Sequence, residues 1–210
     1  MASDTLQQAI RNLDQATTTP ELIQATQAIC ALQDPDAATA LIKVLGFNNP
    51  GVASVATQGL IALGREIIPT LLVSLDARNY GARAWVVRVI SALRDPRGID
   101  VLEHALNADI APSVPRSATR GLAELDLNQS SFDRDLERCF QCLFQAAKDD
   151  EWVVRYAAAF GLEQRLNTPS ITSAQTTQAL AHLQHLSSSK ETVKVVRMRA
   201  DLSLRRLTSR

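Results

Sequence analysis

The chain repeats itself, and that repetition limits what it can fold into more than any other feature. Ala25-Thr-Gln-Ala-Ile29 returns as Ala56-Thr-Gln-Gly-Leu60, as Ala118-Thr-Arg-Gly-Leu122 and as Ala158-Ala-Phe-Gly-Leu162. A longer match joins VVRYAAAFGL, Val153–Leu162, to VVRMRADLSL, Val195–Leu204. The amphipathic segment centred on Ile90 fills the remaining slot. The anchors are then 29, 60, 90, 122, 162 and 204, spaced by 31, 30, 32, 40 and 42 residues. Self-similarity at such periods marks stacked supersecondary units.

Each unit reads as two helices. Around the central anchor, Ala82, Trp85, Val86, Val89, Ile90 and Leu93 fall at i, i+3, i+4, i+7, i+8 and i+11, one face of an α-helix. Asp34-Pro35, Asn49-Pro50 and Asp95-Pro96 each put a capping side chain before a proline, and Thr19-Pro20 does so more weakly. The spacing predicts helical segments over 4–16, 20–33, 36–46, 50–63, 66–77, 80–94, 97–107, 113–125, 131–148, 151–166, 171–187 and 190–207. No segment alternates with period two, so no β-sheet is expected. Aromatic residues are only 4% of the chain, and a core of Ala, Leu, Val and Ile suits closely packed helices. One pair cannot bury its apolar face alone, but stacked pairs can. The expected fold is all-α: a right-handed, crescent-shaped α-solenoid of about six HEAT-like helix pairs, with residues 1–210 forming a single repeat domain.

Composition removes several function classes. Lysine and arginine number 22, as do aspartate and glutamate, so the basic surplus of a general nucleic-acid binder is missing. No stretch approaches the ~18 apolar residues of a membrane span. The polar start, with Asp4, does not read as a signal peptide. Three cysteines are too few for a disulfide scaffold, and a reducing, cytoplasmic setting is expected. Cys139-Phe-Gln-Cys142 is a C-x-x-C, but it lies mid-helix, with Cys139 on the stripe of Phe132, Leu136, Phe140, Leu143, Phe144 and Ala147. Core packing is the expectation there, since a redox pair wants a helix N-terminus. The histidines, His104, His182 and His185, offer no set of companions for zinc, and no metal site is expected.

The arginines carry more information. Arg83, Arg88, Arg94 and Arg97 fall in one repeat, Arg116 and Arg120 in the next, then Arg155 and Arg165, then Arg197 and Arg199. Stacking would line some of them along one surface, where a planar guanidinium fork suits carboxylates. Tyr80, Trp85, Trp152 and Tyr156 share these helices and could stack on a flat conjugated ligand, although Trp85 sits on an apolar stripe and reads first as core. The plainer reading of any one arginine is ion pairing between repeats, with Asp95, Asp100, Glu124, Asp150 or Glu151 as partners.

Four stretches carry a resemblance: Tyr80-Gly-Ala-Arg-Ala-Trp85, Asp95-Pro-Arg-Gly98, Ser113–Leu122 (SVPRSATRGL) and Glu151-Trp-Val-Val-Arg-Tyr-Ala-Ala158. Together with Gly46–Gly51 and Gly59-Leu60 they resemble the phycobilin lyases built from HEAT-like repeats, over about residues 20 to 165. Within that family, length and motif order are closest to the smaller, beta subunit of heterodimeric phycocyanobilin lyases. The resemblance implies attachment of phycocyanobilin, an open-chain tetrapyrrole, by a thioether bond to a cysteine of the phycocyanin alpha subunit. It implies a larger, alpha-type solenoid as partner, no resident cofactor, phycocyanobilin as substrate, and a phycobilisome-containing cell. An isomerising branch of the family carries adjacent His and Cys; no such pair occurs here, so attachment without isomerisation is expected. The implied bilin or acceptor contacts are Tyr80, Arg83, Arg88, Arg116, Arg120, Trp152, Arg155 and Tyr156, with Asp95 the candidate for a pyrrole or partner contact. The same residues leave open a bilin- or phycobiliprotein-binding role in phycobilisome disassembly, and a non-catalytic scaffold that grips a peptide.

Overall fold

The computed structural model describes residues 3–74, 80–109, 111–128, 130–169 and 171–209. Among these there are twelve α-helices and no strand. Contacts gather them into two compact units, Met1–Leu93 and Arg94–Arg210.

The first unit holds α1 (Asp4–Gln15), α2 (Thr19–Ala31), α3 (Ala38–Leu45), α4 (Pro50–Leu63), α5 (Ile68–Val73) and α6 (Tyr80–Leu93). The second holds α7 (Ile99–Ala108), α8 (Ser113–Glu124), α9 (Asp133–Ala146), α10 (Trp152–Arg165), α11 (Ser173–Ser187) and α12 (Lys194–Thr208). Even helices pack on even ones, α2 on α4 and α4 on α6 in one unit, α8 on α10 and α10 on α12 in the other. Odd helices of the second unit form the other layer, α9 touching both α7 and α11. This is the helix-pair architecture that the repeat beat predicts.

The expected caps form. Asn49 accepts from the backbone N–H of Val52 and opens α4. Asp34 and Asp95 cap a different element, a single 3-10 turn at Pro35–Ala37 and at Pro96–Gly98 that leads into α3 and α7. Similar turns at Arg65–Ile67 and Ser130–Phe132 lead into α5 and α9. The cap of α2 is Thr18, not Thr19: Thr18 and Glu21 close a reciprocal capping box, which supplies two hydrogen bonds where Thr19 would supply one. The predicted segment over 66–77 ends as helix at Val73, and residues 75–79 lie outside the described ones.

The longer spacing of the last repeats comes from the odd layer. The odd helices α3, α5 and α7 have 8, 6 and 10 residues, whereas α9 and α11 have 14 and 15. The anchors themselves hold the even helices together. A Cβ placed on Gly161 would lie 2.6 Å from Leu143 Cδ2 and 2.9 Å from the Cβ of Ala123, so α10 meets α8 and α9 as closely as backbone allows. Leu60, Ile90, Leu122 and Leu162 are fully buried.

Gly161→Ala tests this contact. On an exposed helix the change would stabilise by up to about 1 kcal/mol. Here overpacking is expected to cost about 1–3 kcal/mol, read as a lower urea midpoint with an unchanged slope.

Candidate functional site

Two kinds of arginine separate once their partners are known. Arg155 donates from Nε and Nη2 to the two oxygens of Glu191, at 2.6 and 2.9 Å. Its Nη1 donates to the carbonyls of Asp149 and Asp150, both at 2.8 Å. Arg197, which occupies the same place one repeat later, donates from Nη1 to the carbonyls of Glu191 and Thr192 at 2.6 and 3.0 Å. Each arginine thus clamps the loop that precedes its own helix. The Arg155 and Glu191 side chains are only 16% and 4% exposed, so this pair is part of the fold.

Arg165 and Arg199 are more deeply placed. Arg165 donates to the carbonyls of Leu122 and Leu125, satisfying the C-terminus of α8 from the last turn of α10. Burial lowers its pKa from the ordinary value. Arg199 donates to Glu163 at 2.6 Å, and Arg206 reaches the other Glu163 oxygen at 3.3 Å. Burial alone would raise the Glu163 carboxyl, but the hydrogen bond and charge of Arg199 outweigh it and the pKa falls below the usual range. Glu191 is lowered too, chiefly by its hydrogen bond from Arg155. Ser203 completes the α10–α12 contact by donating to the Ala159 carbonyl at 3.1 Å.

Ion pairing accounts for others. Arg94 meets Glu124 at 3.2 Å. Arg97 holds Asp95 from Nε and Nη2 at 2.8 and 2.7 Å, so both carboxylate oxygens of Asp95 are engaged within the chain. Arg138, which the sequence reading passed over, gathers Asp100, Glu103 and Asp135. Cys139 and Cys142 pack into the core as expected, burial pushing their thiols up to about 11 and about 12. His182 stacks on Phe144 with ring centroids 4.9 Å apart.

The remaining residues differ in exposure. In the first unit Arg88 is exposed, with its guanidinium 4.9 Å from the Trp85 ring. Trp85 is half-buried and borders a small cavity of about 220 Å³ with Leu45, Asn49, Pro50 and Gly81. Arg83 is half-buried, and the side chain of Tyr80 lies outside the described residues. In the second unit Arg116 and Arg120 are exposed on α8, Trp152 and Tyr156 on α10. Arg120 lies over the Phe160 ring at 4.9 Å and only 3.9 Å from Glu124.

The repeat offsets of 40 and 42 order this face into rows: Arg116, Tyr156, Met198, and then Arg120, Phe160, Leu202. The Arg120–Phe160 contact observes the second row directly. Trp152 and Tyr156 are 44% and 41% exposed, and Val195, Met198 and Leu202 on α12 are 46%, 60% and 41% exposed. The open face of the even layer therefore runs from cationic on α8 through aromatic on α10 to aliphatic on α12. Sequence reasoning missed Phe160, Val195, Met198 and Leu202. The VVR match at 153 and 195 held the signal, because carrying the register across places them beside the residues it did select. A cavity of about 840 Å³ elsewhere in this unit is rimmed by Glu103, Asp149, Asp150 and Glu151 against one cation, Lys148, so its net charge is the wrong sign for an anionic ligand.

Comparison with known proteins gives the following. A family model described as the PBS lyase HEAT-like repeat matches residues 22–47 and 82–108. The chain is 54% identical over 204 residues to the bilin biosynthesis protein RpcF of Synechococcus sp. strain WH8020, covering 97% of each. It is 40% identical over 157 residues to the phycocyanobilin lyase subunit beta of Nostoc sp. strain PCC 7120, covering 73% of this chain and 78% of that protein. A chain from the solved complex of CpcE and CpcF of phycocyanin lyase from Nostoc sp. PCC7120 matches with TM-score 0.71 at 37% identity, over 81% of this chain and 99% of that one.

Removing Arg155 leaves Glu191 buried without its partner, so Arg155→Ala is expected to cost about 3–5 kcal/mol of folding free energy. A urea midpoint equal to wild type would contradict the clamp. Folding depresses the carboxyls of Glu191 and Glu163. Their contribution is therefore complete above the ordinary carboxylate range and lost as pH falls through the lower folded-state values. Stability measured against pH is expected to drop on the acid side, and less steeply in Glu191→Gln.

Proposed function

This chain belongs to the family of bilin lyase subunits built from HEAT-like repeats, and we propose that it is the beta-type half of a two-solenoid phycocyanobilin lyase. The full enzyme joins phycocyanobilin by a thioether to a cysteine of the phycocyanin alpha subunit, without isomerisation. The observation that carries this reading is the match to a chain of the solved lyase complex over 99% of that chain. The partner is a larger, alpha-type solenoid, and the setting is the cytoplasm of a phycobilisome-containing cell. No helix among the described residues is long and apolar enough to cross a membrane.

The chemistry asks little of this chain in the way of reactive groups. The nucleophile is the acceptor's own thiolate. The S–C bond forms as the ethylidene π bond opens, and the thiol's proton ends on the adjacent ring carbon. Nothing is oxidised or reduced overall, so the step balances with the bilin as substrate and no resident cofactor. What the protein supplies is orientation and shelter from water. A bilin carries two propionates, and Arg116 and Arg120 present guanidinium groups to receive them. Trp152 and Tyr156 line the pigment from the neighbouring helix. Arg83, Arg88 and Tyr80, in the first unit, take bilin or acceptor contacts. Arg155 acts through the fold, and Asp95 is held by Arg97.

Mixing this chain with its partner solenoid, phycocyanobilin and the apo alpha subunit is expected to give covalent bilin fluorescence on a denaturing gel only when both solenoids are present. Loss of pigment from finished phycocyanin would instead support the disassembly role, and no response to pigment would leave a scaffold. Arg116→Ala and Arg120→Ala are each expected to slow transfer roughly tenfold, the loss of one charge-assisted hydrogen bond. Folding stability should stay within about 0.5 kcal/mol of wild type for Arg116→Ala, and within about 1 kcal/mol for Arg120→Ala, which also loses its contact to Phe160.

A further inference from the structure

The last helix has an unusual division of faces. Toward α10 it presents Arg199, Ser203 and Arg206, which bond Glu163 and the Ala159 carbonyl. The opposite edge carries Lys194, Arg197, Asp201 and Arg205, four charged residues at i, i+3, i+7 and i+11. Such a polar edge offers no apolar stripe for another helix pair to stack on. Val195, Met198 and Leu202 lie on neither edge. They follow at i, i+3 and i+7 on the open face of the even layer, and all three are large apolar residues with over 40% of their surface exposed. A further solenoid stacked end to end would want the apolar residues on the edge. Their position instead suits an occupant that lies across the even helices.

The chemistry of the rows identifies that occupant. Met198 continues the row of Arg116 and Tyr156, and Leu202 that of Arg120 and Phe160. With even helices about 8–10 Å apart, each row spans about 16–20 Å from guanidinium to thioether or isobutyl group. Among the described residues the Arg116 guanidinium has no ion pair, and Arg120 has only the long contact to Glu124. The face is therefore positive at one side, where among the described residues Arg116 has no ion pair and Arg120 only a long one, and apolar at the other, with aromatic rings between. An apolar helix of a partner protein would leave Arg116 unpaired and Arg120 with only its long contact to Glu124. A molecule with two carboxylates on one edge and a long conjugated body satisfies both sides.

We infer that the exposed face of α12, through Met198 and Leu202 with Val195 beside them, is a bilin-positioning surface. The tetrapyrrole lies across α10 onto α12 with its propionates turned to Arg116 and Arg120. This rests on the lyase reading and adds α12 to it. Met198 is suited to the role because its unbranched thioether adapts to a flat, polarisable ligand. Leu202 and Val195 set the depth of the surface. None of the three touches a reacting atom, so they position the pigment.

The test uses the assembled pair of solenoids. Met198→Glu places a carboxylate under the pigment, Met198→Leu keeps the surface apolar, and the site is exposed enough to leave folding intact in both. Bilin affinity is read by absorbance titration, assembly by size-exclusion chromatography, and transfer with the apo alpha subunit. Met198→Glu is expected to weaken bilin binding about tenfold or more, with assembly and melting unchanged, and Met198→Leu to stay within about twofold of wild type. Wild-type bilin affinity in Met198→Glu would overturn the inference. So would a pair that no longer assembles, which would make α12 a subunit contact. Normal bilin binding with failed transfer would make it an acceptor-docking surface and overturn it too. A wild-type pair that moves no bilin at all would instead remove the lyase reading on which the inference rests.

Discussion

Buried guanidinium groups hold the even helices of the second unit in register, and the open face depends on that register. Arg165 closes the end of α8 from α10, Arg155 ties the start of α10 to the loop before α12, and Arg199 bonds α12 back to Glu163 on α10. A guanidinium cannot shed its charge at any accessible pH, so each of these groups must be met by fixed acceptors or the packing fails. Two carboxylates and several carbonyls meet them. Small residues do the complementary work at Ala123 and Gly161, where α8 and α10 come within touching distance of backbone.

With the helices locked, the exposed side chains that point away from the odd layer carry little of the packing, the Arg120–Phe160 contact apart. Their chemistry changes by helix: arginine on α8, aromatic on α10, aliphatic on α12. Such a gradient has no use in the stability of the unit, since it leaves large apolar side chains in water. It fits an amphiphilic conjugated ligand whose charge is gathered on one edge. An enzyme that adds a protein's thiol to a fragile pigment needs this kind of surface more than it needs an acid or a base of its own.

The repeat beat made the fold legible. Helix number, helix order and most boundaries follow from the anchor spacing and from Asn49-Pro50, Asp34-Pro35 and Asp95-Pro96. The 3-10 turns were hidden because an aspartate before proline caps a tight turn and an α-helix with the same letters. The candidate face was legible only in its residues. Arg116, Arg120, Trp152 and Tyr156 do share one open face, but Arg155 carries the same letter as Arg116 and serves the loop before its helix. Composition cannot separate those uses. The repeat can, since Arg155 matches Arg197, and an arginine that recurs at the same register is more naturally a part of the repeat. Met198 and Leu202 escaped notice because apolar residues on a helix read as core until the neighbouring helices are placed.

The central claim is that bilin lies on the open face formed by α8, α10 and α12. The chain has two methionines, Met1 and Met198, so labelling this subunit alone with methyl-¹³C methionine gives a spectrum of two methyl signals. Adding phycocyanobilin to the labelled subunit paired with its unlabelled partner should displace the Met198 signal by the ring currents of the conjugated pigment, saturating with the bilin absorbance change, while Met1 stays in place. Absorbance that reports bound bilin while the Met198 signal does not move would put the pigment elsewhere and contradict the account.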